Sequence, residues 1–282
     1  MRKLLTVNDS KSSEKLPVIL HHGILGFPEQ QIGPLRLRYY RGIDAAIERR
    51  GNRVLITRVH PTASVACRAG ELRDFVLRKL DSLGASKAIL IAHSMGGLDA
   101  RYAITHLGLS DRIAALLTVS APHRGSSVAD WWKLHIGSRL GGFRLARSLG
   151  LNIEAVHDLT LDACCDFNRA TPDVAGVRYY SVGSARPWHR IPAFAIPSWR
   201  IIHKAEGDND GLVSARSAEW GKSLGVWPAD HWHTINHRMV WEIKQPTGNI
   251  TPYYLAALEQ IEADLASDSE MPELTSAASS DC

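Results

Sequence analysis

The stretch KAILIAHSMGGLDARY, residues 87–102, decides how the chain is read. Ala88–Ala92 is an unbroken apolar run, as a strand covered on both faces requires. It leads into His93-Ser94-Met95-Gly96-Gly97, and residues 95–108 then carry a helical pattern. A serine on such a strand-to-helix turn projects its hydroxyl from the C-terminal edge of a sheet. The turn accepts only small neighbours two residues to either side. Gly96 is one; Ala92 stands where the G-x-S-x-G pattern has its first glycine, a change of one methyl. A serine that merely caps the helix is the plainer alternative. The position of Ser94 after a third strand, between β and α elements, favours a nucleophile. The helix that follows brings unpaired N–H groups and the positive end of its dipole to the same spot.

Working outward, PVILHHG (17–23) and RVLITRV (53–59) read as strands, the second ended by Pro61. Residues 35–50 read as a helix stopped by Gly51-Asn52. Residues 64–84 read as another, apolar at 65, 72, 75, 76, 80 and 83 and ended by Gly84. IAALLTVSAP (113–122) and VRYYSVGS (177–184) are further strands, and 186–199 is a loop rich in Pro and Trp. TPYYLAALEQIEADLA (251–266) is the last helix, and the polar tail 267–282 is expected to be disordered. Alternating β and α elements with short connections predict an α/β fold with a parallel sheet covered by helices. Residues 1–266 form a single domain in this reading. A mostly helical insertion over about 123–176 interrupts the alternation.

The 282 residues suffice for one large domain with a buried core. With 33 basic and 29 acidic residues and no long Lys/Arg run, the composition gives no support to a nucleic-acid partner. IAALLTVSAP falls far short of the ~20 apolar residues that span a bilayer. The N-terminal apolar pair Leu4-Leu5 falls short of the roughly 7–15 that a secretory signal needs. Cys67, Cys164, Cys165 and Cys282 form neither a CxxC motif nor a disulfide framework, which predicts free thiols in a reducing, cytoplasmic setting.

A nucleophilic serine needs a base, and the base needs an acid to orient it. After a motif of this kind the acid precedes the base in the chain. Glu206, Asp208 and Asp210 in EGDNDGLVS are the candidate acids; Asp210 precedes Gly211 and an apolar pair, which suits a turn at a sheet edge. His231, His233 and His237 in WPADHWHTINH are the candidate bases, with His231 nearest the turn after Pro228. An oxyanion needs two donors. The Met95 N–H is one candidate. The Ile24 N–H is the other, because Gly23 at the end of the first strand allows close backbone approach.

The segments HHGILGF, AHSMGGLDARY, SAPHRGSSVADW, GDNDGLVSARSAEWG and DHWHTINH, in that order over roughly residues 17–240, resemble triacylglycerol lipases. The likeness is to the bacterial true-lipase and yeast intracellular lipase type of the α/β-hydrolase superfamily. The resemblance implies an α/β-hydrolase fold with a helical lid or cap and ester hydrolysis through an acyl-enzyme, without a cofactor. It implies Ser94 as nucleophile, Asp210 as acid, His231 as base, and Ile24 and Met95 at the oxyanion hole. Many relatives carry an aspartate two residues after the base, serving a structural calcium site. Here that position is His233, and imidazole is a poor ligand for a hard cation, so no metal is expected. His123 and Arg124 after the 113–122 strand, and Asp99 and Arg101 on the helix after Ser94, are read as packing or ion-pair residues.

Residues 127–151 intersperse Trp131, Trp132, Leu134 and Phe143 with Lys133, Arg139, Arg144 and Arg147. Such a basic amphipathic segment can touch a lipid interface as a lid, with Gly137, Gly141 and Gly142 as hinges. A fixed helical cap is the alternative. An acyltransferase or thioesterase using the same three residues, and an inactive lipid-binding relative, are the competing functional readings.

Overall fold

The computed structural model describes residues 15–26, 29–32, 35–137, 153–237 and 248–270. The first strand, β1 (Val18–His21), begins the main sheet. A short antiparallel hairpin follows, β2 (Glu29–Ile32) with β3 (Leu35–Arg38), pairing Ile32 with Leu35. Then come α1 (Ile43–Arg49), β4 (Val54–Ile56), α2 (Val65–Leu83), β5 (Ala88–His93), α3 (Gly96–His106) and β6 (Ile113–Val119). Among the described residues, three helices lie between β6 and the next strand: α4 (Ser127–Gly137), α5 (Ile153–His157) and α6 (Leu161–Ala170). β7 (Arg178–Ser184), α7 (Ile196–Glu206), β8 (Lys222–Trp227) and α8 (Thr251–Glu270) complete the order.

The sheet runs β4-β1-β5-β6-β7-β8, and every neighbouring pair is parallel. This is the α/β architecture that the alternating pattern predicts. Alternation along the strands sorts the core into two layers. Val18, Leu20, Ile89, Ile91 and Leu117 face Ile43 and Ile47 of α1 and Tyr254, Leu258 and Ile261 of α8. Ile19, Leu90 and Leu116 face Leu72, Val76 and Leu80 of α2 and Ala100 and Ile104 of α3. Both faces of β1, β5 and β6 are buried, hence their continuous apolar runs.

Besides β8, which carries no apolar run, three elements depart from the sequence reading. Residues 35–50 are not one helix: 35–38 belong to the hairpin, and α1 starts only after Gly42, whose φ of 78° is left-handed. Leu35-Arg36-Leu37-Arg38 alternates with period two, a strand signal that the long helical reading absorbed. The 186–199 loop ends early, because α7 begins at Ile196 with Pro197 in its first turn, where the missing N–H costs nothing. The last helix continues four residues beyond Ala266, through Glu270. Residues 271–282, Gly141, Gly142, Phe143, Arg139, Arg144 and Arg147 lie outside the described residues.

Candidate active site

β5 delivers Ser94 to the sheet edge and α3 carries the chain away. Ser94 has φ 57°, a left-handed conformation that costs a non-glycine residue on the order of 1–3 kcal/mol. Its N–H donates to the Val119 carbonyl and its own carbonyl accepts from Gly97 N–H, both at 2.9 Å, which holds the turn. A Cβ on residue 96 would lie 2.9 Å from the His22 carbonyl oxygen; one on residue 23 would lie 2.7 Å from the Ser94 Cβ. Glycine at 23 and 96 is therefore what lets the first strand's loop lie against the serine. Ala92 is fully buried, so its extra methyl is accommodated.

The structure brings Ser94, His231 and Asp210 into one hydrogen-bonded chain. Ser94 Oγ lies 3.0 Å from His231 Nε2, and His231 Nδ1 lies 2.9 Å from Asp210 Oδ2. Asp210 is buried and surrounded by donors: Ser184 Oγ at 2.8 Å on Oδ2, and the N–H groups of Leu212 and Val213 at 2.9 and 2.8 Å on Oδ1. With Ser184 donating to the acid, its oxygen accepts from Ser120 Oγ at 2.6 Å. A carboxylate that only accepts fixes the proton of His231 on Nδ1. Nε2 is then free to accept the serine proton, the polarity required for nucleophile activation.

The alternatives sort by position. Asp208 is exposed, and Glu206 accepts from the Ser127 N–H and the Ser214 hydroxyl. His237 reaches the carbonyls of Arg38 and Tyr39, and His233 the Gly248 carbonyl. The N–H groups of Ile24 and Met95 find no acceptor among the described residues. The α3 N-terminus adds its dipole beside Ser94, so an oxyanion held there would meet both donors and the dipole.

Behind the serine lies a network that sequence reasoning did not find. Gly23 N–H donates to the Tyr39 hydroxyl (3.1 Å), which lies 2.7 Å from His93 Nδ1; His93 Nε2 lies 2.8 Å from Thr234 Oγ1. Thr234 Oγ1 donates to the His231 carbonyl at 2.6 Å. Only one proton order satisfies all four contacts, so His93 carries its proton on Nε2. Arg68 donates to Asp99 Oδ2 (2.8 Å) and the His22 carbonyl (2.6 Å), and His21 also contacts Asp99, at 3.0 Å. No fixed sequence spacing marks these partners, since they come from separate elements.

Burial holds His21, His22, His93 and His123 below the ordinary histidine pKa, His22 at about 3. In the unfolded chain each would titrate near 6.5. Below that pH the unfolded state binds protons that the native state does not, so stability is complete above it and declines as pH falls. Each such histidine contributes up to about 1.4 kcal/mol per pH unit to that slope. Urea midpoints measured from about pH 7 down to about pH 5 are expected to fall steeply below about pH 6; a flat profile would contradict the burial of these rings as neutral groups.

Comparison with known proteins bears on the family and the fold. The family described as a PGAP1-like alpha/beta domain matches residues 76–157. Triacylglycerol lipase 2 of Saccharomyces cerevisiae is 33% identical over 212 residues, 72% of this chain and 63% of that protein. A triacylglycerol lipase of Pseudomonas fragi is 28% identical over 272 residues, 81% of this chain and 90% of the relative. Among solved structures, a metagenomic carboxyl esterase superposes with TM-score 0.74 at 22% identity, over 90% of this chain and 77% of its own. The Staphylococcus hyicus lipase superposes with TM-score 0.69 at 15% identity, over 88% and 96%. The chain is similar in sequence to triacylglycerol lipases over most of its length and shares the α/β-hydrolase fold. It spans just under two thirds of the yeast relative's length.

Other residues flanking the site are tied into the scaffold. His123 is buried between Thr118 Oγ1 (2.9 Å) and Arg101. The Arg101 guanidinium stacks 3.5 Å from the Trp220 ring and bonds Asn168 and the Thr171 carbonyl. Arg124 donates to the carbonyls of Arg216 and Glu219. An apolar groove of about 310 Å³ runs between α4 and α7, lined by Val128, Trp132, Phe194, Ile201, Leu212 and Trp232. Leu212 and Trp232 are the near neighbours of Asp210 and His231. Trp131, Trp132 and Leu134 on α4 remain exposed.

The calcium site that the family resemblance raises does not fit this donor set. His233 Nδ1 is hydrogen-bonded to the Arg186 guanidinium, which can only donate. Its Nε2 then carries the proton that goes to Gly248 O, at 2.9 Å. That leaves no lone pair for a metal. Asp230 accepts from the same guanidinium at 3.0 Å. No helix among the described residues is long and apolar enough to cross a membrane.

Proposed function

We propose that the chain hydrolyses carboxylic esters bearing apolar acyl chains, lipid esters among them, through an acyl-enzyme on Ser94. The observation that carries this reading is the Ser94–His231–Asp210 chain, at 3.0 and 2.9 Å, beside the two unclaimed N–H groups of Ile24 and Met95. His231 takes the Ser94 proton as the oxygen attacks the ester carbonyl. The Ile24 and Met95 N–H groups hold the oxyanion, and the Asp210 carboxylate supports the imidazolium that forms. His231 then protonates the leaving alkoxide, and the same imidazole draws a proton from water to release the acid. The groove beside Leu212 and Trp232 receives the acyl chain. Trp131, Trp132 and Leu134 offer contact with a lipid surface, which is the lid reading of this region. The free thiols of Cys67, Cys164 and Cys165 support a reducing, cytoplasmic setting.

Initial rates on p-nitrophenyl esters of increasing chain length, beside a triolein emulsion, test the reading. Hydrolysis rising from acetate to medium chains is expected; no hydrolysis of any ester would overturn it. Filling the groove tests the acyl site. Each buried methylene contributes about 0.8 kcal/mol, so Ile201→Trp, by excluding two or three, is expected to lower kcat/KM for long esters roughly 15- to 60-fold. Acetate turnover should stay near that of the parent; equal losses on both esters would remove the groove from the account.

A further inference from the structure

Arg186 is the first residue after β7 but one, and it touches both loops that carry the hydrogen-bonded chain. Its N–H donates to the Asn209 carbonyl at 3.1 Å, one residue before Asp210. Its carbonyl accepts the Trp199 indole N–H at 2.9 Å, which fixes the backbone against α7. The side chain turns the other way, into the loop that presents His231. Nε donates to the Pro228 carbonyl at 2.9 Å, one Nη to Asp230 Oδ2 at 3.0 Å, and the other Nη to His233 Nδ1. Asp230 closes the loop on itself, since its Oδ1 accepts from the Trp232 and His233 N–H groups at 3.1 and 3.0 Å. The Arg186 and Asp230 side chains are only 4% and 1% exposed.

We propose that Arg186 is a built-in cation that positions His231 against Asp210 and Ser94, holding the loop where the family resemblance would put a divalent metal. The inference rests on the serine-hydrolase reading of the site. A planar guanidinium with a fixed fork of donors suits this task. It binds a carbonyl, a carboxylate and an imidazole nitrogen at once, and they belong to residues three before, one before and two after His231. A metal ion would need lone pairs from His233 that are already committed. Arg186 touches no reacting atom and is a positioning residue.

The test compares the full-length parent with Arg186→Ala, Arg186→Lys and the double variant Arg186→Met/Asp230→Asn. The double variant removes both charges together and keeps the question open if the single alanine variant fails to fold. kcat and KM on p-nitrophenyl butyrate are measured beside thermal unfolding. In the folded variants kcat is expected to fall roughly 10–100-fold, as for the loss of an orienting partner one shell from the chemistry, while KM stays nearly constant. Arg186→Lys is expected to retain more kcat than Arg186→Ala. Millimolar guanidinium chloride should restore part of the Arg186→Ala rate and none in the double variant. The parent should keep its rate in EDTA. A folded Arg186→Ala or double variant with the parent's kcat, a loss carried by KM alone, absence of guanidinium rescue, or a chelator-sensitive parent restored by calcium would each overturn the proposal. Ser94→Ala run alongside separates the two readings. Parent-like turnover there defeats the serine-hydrolase assignment itself. An inert Ser94→Ala beside a fully active Arg186→Ala defeats only the role of Arg186.

Discussion

Ser94→Ala is expected to lower ester turnover by about 10⁶-fold, the scale seen when a triad serine hydrolase loses its nucleophile, and to leave the unfolding temperature close to that of the parent. The substitution deletes one oxygen. That oxygen donates to His231 Nε2 at 3.0 Å, and its removal costs the ring that one hydrogen bond. The left-handed backbone at residue 94 is held by main-chain bonds to Val119 and Gly97, which alanine keeps. The scaffold therefore loses little while the chemistry loses its attacking atom. The residual rate should come from the Ile24 and Met95 donors and from binding alone. Labelling by a fluorophosphonate probe should vanish in the variant, because only an activated serine is phosphonylated. Undiminished hydrolysis or labelling would mean that another group attacks. An inactive lipid-binding protein would show neither in the parent, and a transferase would show labelling with slow hydrolysis accelerated by an added alcohol.

How much of this was legible beforehand follows the physics of each element. β1, β5 and β6 are buried on both faces, so their apolar runs are continuous and easily found. α2 ends at Gly84 with φ 65°, the left-handed stop its sequence announces. β8, which the sequence reading passed over, lies at the sheet edge; Lys222, Ser223, Gly225 and Val226 are exposed, and no apolar run forms. The β2–β3 hairpin hides in the sequence because Leu35-Arg36-Leu37-Arg38 runs straight into the helical pattern behind it, although Gly33-Pro34 is a turn signal. The site divides the same way. Ser94, Asp210 and His231 sit in short motifs with local reasons for their residue types. Their supports do not: Tyr39, His93 and Thr234 meet from a loop, a strand end and a 3₁₀ turn, 54 and 141 residues apart. Ser184 and Arg186 are equally silent in sequence, since one hydroxyl and one arginine near a strand end are common. What orients a reacting group is set by tertiary proximity, and one sequence carries no record of that.

Asp210→Asn probes the orienting acid without emptying its place. The amide oxygen can keep the two main-chain bonds from Leu212 and Val213, so the side chain should hold its rotamer with the NH₂ group toward Ser184 and His231. Ser184 can turn its hydroxyl and accept instead of donate. His231 has no such freedom, for its Nδ1 now faces a donor at the position of Asp210 Oδ2, 2.9 Å away. The neutral ring answers by moving its proton to Nε2, and the nitrogen facing Ser94 can no longer accept. A drop of about 10⁴ in kcat is expected, the size produced by the equivalent change in a serine protease, where the geometry stays and the tautomer is wrong. KM should change little, because no substrate contact is lost, and the double variant Ser94→Ala/Asp210→Asn should be no slower than Ser94→Ala alone. A kcat within tenfold of the parent would mean that His231 is oriented without Asp210, and the carboxylate would then be a structural anchor for the turn at Gly211.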